Sequence, residues 1–245
     1  MKSALSLLAL SLASSLAIAD QLSVSNPVTR SLTLQDGEFS VSAGLLRVQK
    51  NDRDEKYALG LGGGYGITDN VTLGLGQIRY NFMPREYNGY GLELAVEGGL
   101  LGYYRSSVLR DGALAWGGAL LGKYVVDDRL AYTFGTRYVY WDVEDFRNQQ
   151  SIGVEGGVIY RFADTLSGTA ELGYRKLHNF SRDDDFRLSV GLIWNVTDQT
   201  DINLGYSHTT YDNNYRNSDN GAGYANYAGD SVYEHLFSLG VTYRF

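Results

Sequence analysis

Phe237, Leu239, Val241, Tyr243 and Phe245 take alternate positions at the end of the chain, with Ser238, Gly240, Thr242 and Arg244 between them. Side chains alternate across a β-strand, so the five apolar residues share one face and the polar residues the other. The pattern recurs upstream. Ile152, Val154, Val158, Tyr160 and Phe162 share a face within 151–163, and Phe186, Leu188, Val190, Leu192 and Trp194 do so within 184–195. In 129–142 the set is Leu130, Tyr132, Phe134, Tyr138 and Tyr140, and in 201–211 it is Ile202, Leu204 and Tyr206. The opposite faces read Ser, Gly, Glu, Arg, Asn and Thr. No helical period of similar strength interrupts these segments, so the fold class is all-β. A soluble sandwich with one buried face would show the same alternation. The ends of the chain and the aromatic placement decide between the two.

Met1-Lys2-Ser3 is a short positive start, followed by an apolar stretch and by Ala17-Ile18-Ala19 before Asp20. That is the form of a secretory signal peptide cleaved after Ala19, which leaves 20–245 as a single domain. Nothing further along is apolar for long enough to span a bilayer as a helix. An exported chain of this kind that crosses a membrane must do so as a closed barrel, because every backbone group in lipid needs a partner. Aromatic residues gather toward strand ends: Tyr160 with Phe162, Trp194, Tyr243 with Phe245, Trp116, and Tyr138 with Tyr140. Two such belts around an apolar band mark the interfaces of a membrane barrel. The chain has no Cys, so no disulfide holds it, and its two prolines, Pro27 and Pro84, lie outside the strongest alternating segments. A net charge of -7 argues against a nucleic-acid partner.

On its signal peptide and its closing strand ending in Tyr243-Arg244-Phe245, the chain resembles Gram-negative outer-membrane β-barrel proteins. The resemblance implies residence in the outer membrane, contact with its lipid and lipopolysaccharide, and recognition of the last strand by the barrel-assembly machinery. Phe237, Leu239, Val241, Tyr243 and Phe245 would then face lipid.

Strand candidates are 38–49, 56–67, 71–82, 90–104, 112–125, 129–142, 151–163, 168–178, 184–195, 201–211 and 233–245. A weaker one, 29–35, precedes the tight-turn pair Asp36-Gly37. The expectation is an antiparallel up-and-down transmembrane barrel of twelve strands, or ten if 29–35 is not one. An even count puts both termini at the periplasmic end. The connections 163–166 and 195–201 are short and would lie there too; 142–150, 178–185 and above all 211–232 would lie outside. Thr68-Asp69-Asn70 reads as a short periplasmic turn, yet counting 29–35 as a strand places it outside.

Polar faces turned inward would give the lumen Glu93, Glu97, Lys123, Arg137, Glu155, Arg161, Glu171, Arg175, Arg187 and Arg244. Hairpins centred near 146, 165 and 181 would align a ladder, Arg137–Glu155–Arg175–Arg187, with Glu171 beside it. Such a wall would line a polar passage or fill a narrow barrel and stiffen it. Ala58, Gly60, Gly62, Gly64 and Gly66 form a smooth inward stripe and Ala113, Ala115, Gly117 and Ala119 a second, making room for bulky side chains or for an open lumen.

Pairing across the last long loop sets His208 opposite His235 on the lipid-facing phase near the outer rim. His208-Thr209-Thr210 is only a distant echo of the His and Ser/Thr set of barrel lipid hydrolases, and an interfacial girdle role suits both histidines better. Asp183-Asp184-Asp185, with Asp212, Asp219 and Asp230, reads as solvated loop rather than a Ca²⁺ loop. The chain is therefore expected to be no enzyme, with no catalytic residue, metal site or cofactor. It reads as a porin-like passive conduit for small polar or charged solutes. The rival is a non-conducting structural or adhesion barrel that works through its outer loops, and a third, weaker reading is a lipid-modifying barrel enzyme.

Overall fold

The computed structural model describes residues 26–50, 54–86, 89–105, 112–143, 148–179, 183–210 and 235–245. Residues 1–19, expected to be a signal peptide, and the 211–232 loop lie outside the described residues. Twelve strands form the fold: β1 (Phe39–Lys50), β2 (Asp54–Thr68), β3 (Val71–Gly74), β4 (Gln77–Met83), β5 (Gly91–Arg105), β6 (Gly112–Val125), β7 (Leu130–Val143), β8 (Gln149–Ala163), β9 (Leu166–His178), β10 (Asp184–Asn195), β11 (Thr200–Thr209) and β12 (His235–Arg244). Each pairs antiparallel with its neighbours in sequence, and β12 returns to β1, so the sheet closes into a barrel.

Closure is made by the first and last strands. Ser40 lies opposite Arg244 in the β1–β12 register. Beyond it Phe39 N donates to Phe245 O at 2.7 Å, and Phe245 N donates back to Phe39 O at 2.9 Å. The Phe245 ring packs beside Phe39 and Tyr243, at centroid distances of 5.0 and 5.4 Å. The terminal aromatic thus sits in a ring cluster at the seam and completes a girdle.

Alternation sets the two surfaces. Phe237, Leu239, Val241 and Phe245 are exposed on the outside, as are Leu188, Val190, Leu192 and Trp194. Tyr243 points the same way but is covered by Phe245 and by its hydrogen bond to Gln199. One aromatic belt joins Tyr160, Phe162, Phe39 and Phe245; the other joins Trp116 with Tyr140, Tyr174 with Phe186, and Tyr206 with Phe237. From Phe186 to Trp194, at ~3.3 Å per residue and a tilt of ~40°, the rise is roughly 20 Å, near the apolar thickness that such barrels span. Tyr132 to Tyr140 and Phe237 to Phe245 cover the same step, so three strands agree on the height of the band.

Twelve strands are present, but two of the expected boundaries are not where the sequence pattern puts them. The 29–35 segment is not a strand: 27–29 form a turn and the rest is irregular. The strand that follows it offers no edge, because β1 already pairs with β2 and β12. The missing strand is regained in 71–82, which folds back at Leu75-Gly76 into β3 and β4, with Gly76 at φ +82°. Glycine suits that left-handed position, where a Cβ would also lie 2.8 Å from Leu100 O. The change removes the conflict over Thr68-Asp69-Asn70. The turn at 69–70 now shares an end of the barrel with the turns at 126–129, 164–165 and 196–199, with Asn26 and with Phe245, the end that the rule for bacterial barrels would make periplasmic.

Facing makes a direct test. Leu204 points outward near mid-band, and Asn203 points inward, donating to Thr242 Oγ1. Leu204→Arg is expected to destabilise the barrel in bilayers by roughly 2–4 kcal/mol, whereas Asn203→Arg changes it by less than about 1 kcal/mol, both read from urea titrations of the folded protein.

Candidate functional site in the barrel lumen

The lumen has two parts of different character. In its middle, Arg187 bridges Glu155 and Glu171 at 2.8 and 2.7 Å. Arg137 faces the same region, near enough for its charge to act on Glu171. Arg175 is held by Asp185, which is fully buried. Side chains of Arg187 and Glu171 keep 27% and 34% of their surface, so this wall is open to lumenal water. It carries three arginines against three carboxylates, and no sign of charge is in excess.

These residues share the inward face that alternation assigned, but not the expected ladder. Arg137 lies opposite Gly153 rather than Glu155, Glu155 opposite Gly173 rather than Arg175, and Arg175 opposite Asp185 rather than Arg187. Each pairing is displaced by two residues. A two-residue step preserves the face, so every charge stays in the lumen while its partner changes. Asp184 and Asp185 are strand residues and not solvated loop. Asp185 points in to Arg175, and Asp184 points out, accepting from Tyr174 OH at 3.2 Å.

At the end that holds the 69–70, 126–129 and 164–165 turns the lumen is occupied by the chain's own residues 26–38. Asn26 Nδ2 donates to Asp128 O at 2.7 Å, and Val28 packs among Val125, Ala131 and Ile159. Lys123 Nζ donates to Pro27 O and Arg30 O, at 2.9 and 2.7 Å. Glu93 is the centre of the attachment. Its carboxylate accepts from Ser31 Oγ, Leu32 N and Asn81 Nδ2, and from Arg85 at 2.8 Å, with Arg85 and Glu93 almost wholly buried. Arg79 is paired to Glu97 at 2.5 Å and donates to Leu32 O at 2.6 Å. Thr33 Oγ1 then donates to Asp69 O, and Leu34 N to Thr72 Oγ1, both at 2.8 Å.

Arg30 reaches the opposite wall and meets Asp201 at 3.1 Å, where Arg244 also binds at 2.5 Å. Burial, helped by repulsion from Arg244, pushes the Arg30 guanidinium down to about 10 despite the attraction of Asp201. From Asp128 to Thr72 and across to Asp201, the segment spans the bore.

The glycine stripe explains how the segment fits. A Cβ on Gly66 would lie 1.7 Å from Gln35 O, and one on Gly64 would lie 3.2 Å from Leu34 Cδ1. The small residues of β2 make room for backbone from the same chain. Gly37, at φ +78°, turns the segment out into β1, and its N–H donates to Gly66 O at 2.9 Å. Sequence reasoning placed Glu93, Glu97, Lys123 and Arg244 in the lumen and missed Arg30, Arg79, Arg85 and Asp201. Arg79 carried a signal, since Gln77, Arg79 and Asn81 form the polar phase of their strand. Arg85, in the connection after Pro84, carried none.

The two rim histidines pair as expected. His208 lies opposite His235, their rings 4.9 Å apart, and Tyr206 OH meets His235 Nδ1 at 2.8 Å. Thr210 Oγ1 accepts from Phe186 N, and Thr209 is buried on the lumenal face. His208, His235 and Tyr206 form an outward aromatic cluster. Among the described residues no set of His, Asp and Glu is grouped to hold a metal ion.

A closed antiparallel ladder with an apolar outside, two aromatic belts and a charged inside decides the architecture. The chain is a closed twelve-stranded β-barrel of transmembrane form. No protein-family model and no curated protein matches its sequence. Among solved structures it is similar to the NanC porin, at 12% identity and a TM-score of 0.49, over 84% of this chain and 98% of that one. It is also similar to the KdgM porin in complex with disordered oligogalacturonate, at 12% identity and 0.46 over 85% and 99%. A third is the CymD monoaromatic hydrocarbon channel, at 8% identity and 0.48 over 86% and 89%.

The buried Arg85–Glu93 pair predicts how the segment is released. Glu93→Gln strands the Arg85 cation, and losing one partner of a buried pair costs about 3–5 kcal/mol. The expected result is trypsin cleavage after Arg30 in the folded variant, while the wild-type barrel resists at that bond.

Proposed function

We propose that this barrel is a porin-like conduit for small polar or charged solutes, narrowed at its periplasmic end by residues 26–38. The observation that carries the reading is the contrast within the lumen. The Arg187–Glu155–Glu171 wall stays hydrated, whereas Arg85 and Glu93 below it are sealed against the segment. Polar space remains on both sides of the bore. One cavity of about 490 Å³ lies over the segment along Ser40, Gly62, Gly64 and Thr242, and another of about 390 Å³ lies beside Thr169, Ser189, Asn203 and Ser207. Alternating fixed charges with no net excess favour dipolar and zwitterionic solutes over one sign of ion.

On this reading the chain is exported with cleavage after Ala19. It is inserted by the assembly machinery through its C-terminal strand and sits among outer-membrane lipid and lipopolysaccharide. It transports rather than catalyses.

The rival reading, a non-conducting barrel, draws on the same segment, because the segment crosses the bore. Planar-bilayer recording separates the two. The wild-type protein is expected to show small unitary currents, and a variant lacking 20–35 is expected to show currents at least threefold larger with weak ion selectivity. Silence from both, with folding verified by heat-modifiable migration, would end the conduit reading in favour of the rival.

A further inference from the structure

The barrel wall is not equally tall all round. β3 pairs with β2 only from Gly64 to Thr68, and β4 pairs with β5 only as far as Gly99, with one more bond from Leu100 N to Gly76 O. Above the Leu75-Gly76 tip, residues 54–63 of β2 pair with β1 on one edge and, among the described residues, have no strand on the other. No Cα of β2 comes within 8 Å of one in β4 or β5, whereas paired strands run ~4.8 Å apart. This open edge is within the apolar band. Tyr57 is joined through Arg47 to Phe237 of the outer belt, and Tyr65 pairs with Phe39 of the inner belt. Backbone left unpaired at that depth is tolerated only where it lines a water-filled or occupied cleft.

The cleft leads inward. The cavity over the N-terminal segment is bounded by Leu61 and Leu75, whose side chains lie on the outer surface at 61% and 70% exposure, and also by Thr242 and Arg244 on the lumenal face. Space that touches both surfaces passes through the wall. Its lining is mixed: Leu61 and Leu75 belong to the outer face, and Leu32, Leu34, Thr72, Gln77 and Thr242 line it from within the barrel. The three arginines there are paired, Arg79 with Glu97 and both Arg30 and Arg244 with Asp201, and the cavity also takes in the carboxylates of Asp198 and of Glu38, which accepts from Gln35 N.

We infer that the gap above the β3–β4 hairpin is a lateral doorway by which a small amphiphile, with an uncharged polar head and a short apolar tail, passes between the outer half of the bilayer and the lumenal cavity. The tail lies along Leu61 and Leu75 while the head exchanges hydrogen bonds with Gln77 and the threonines. The doorway does not require conduction along the barrel axis.

The chain has no cysteine, so single thiols report cleanly. Leu61→Cys and Leu75→Cys place thiols at the opening; Leu192→Cys and Leu239→Cys place them on the unbroken wall. All four are small changes at outward positions, and heat-modifiable migration verifies folding of each in bilayers. The charged reagent 2-sulfonatoethyl methanethiosulfonate is expected to modify the two opening thiols at least tenfold faster than the two wall thiols. Nonan-1-ol is expected to slow modification at Leu75→Cys at least threefold, and sorbitol at equal concentration is not. Equal rates at opening and wall would overturn the inference. So would fast opening thiols that nonan-1-ol leaves unchanged, which would mark a wet gap without an amphiphile site. Neither readout uses ion current, so the doorway and the axial conduit fail separately.

Discussion

The backbone's need for partners in lipid governs this structure. Twelve strands meet that need only because β12 returns to β1, and the bonds between Phe39 and Phe245 are the last step of the closure. Once the ring is shut, period-two alternation assigns every other side chain to lipid or to lumen. The aromatic belts, the charged wall and the glycine stripe all follow from that one constraint. The same constraint makes the short β3–β4 hairpin notable, since it is where the described wall leaves an edge unpaired.

Closure also decides what becomes of the N-terminal segment. With both edges of β1 taken and no free edge at their own end of the barrel, residues 26–38 turn inward, and the lumen is built to receive them. Glu93 and Asp201 act as two anchoring carboxylates on opposite walls, each binding the segment and an arginine of the barrel. Val28 adds a small apolar cluster between them. A buried pair such as Arg85–Glu93 contributes little net stability compared with an apolar filling, but it is costly to break one-sidedly. It therefore fixes where the segment sits more than it strengthens the barrel. The half-exposed Arg187 network above is under no such constraint and stays available to solutes.

Most of the architecture was legible because alternation needs no knowledge of turns. The inward phase of Arg137, Glu155, Glu171, Arg175 and Arg187 and the outward phase of the closing strand could be read from spacing alone. Register could not. It depends on where each hairpin is centred, and moving a centre by one residue moves every pairing by two, which is the displacement at Arg137, Glu155 and Arg175. The 29–35 segment misled for another reason. Leu32 and Leu34 alternate with Ser31 and Thr33 as in a strand, but whether an edge was free to accept them is a property of the whole ring. Asp36-Gly37 was a true turn signal, and what it turns is the segment's exit into β1. In 71–82 the Leu75-Gly76 reversal was hidden by apolar residues that continue the strand pattern on both sides.

The central claim is that residues 26–38 are an integral part of the barrel interior. Hydrogen–deuterium exchange of the full chain in bilayers tests it most directly. Arg30, Leu32 and Leu34 donate their amide hydrogens to Asn26 O, the Glu93 carboxylate and Thr72 Oγ1. They are expected to exchange as slowly as the amides of β5 and β6. Exchange at the rate of an unstructured peptide would contradict the account.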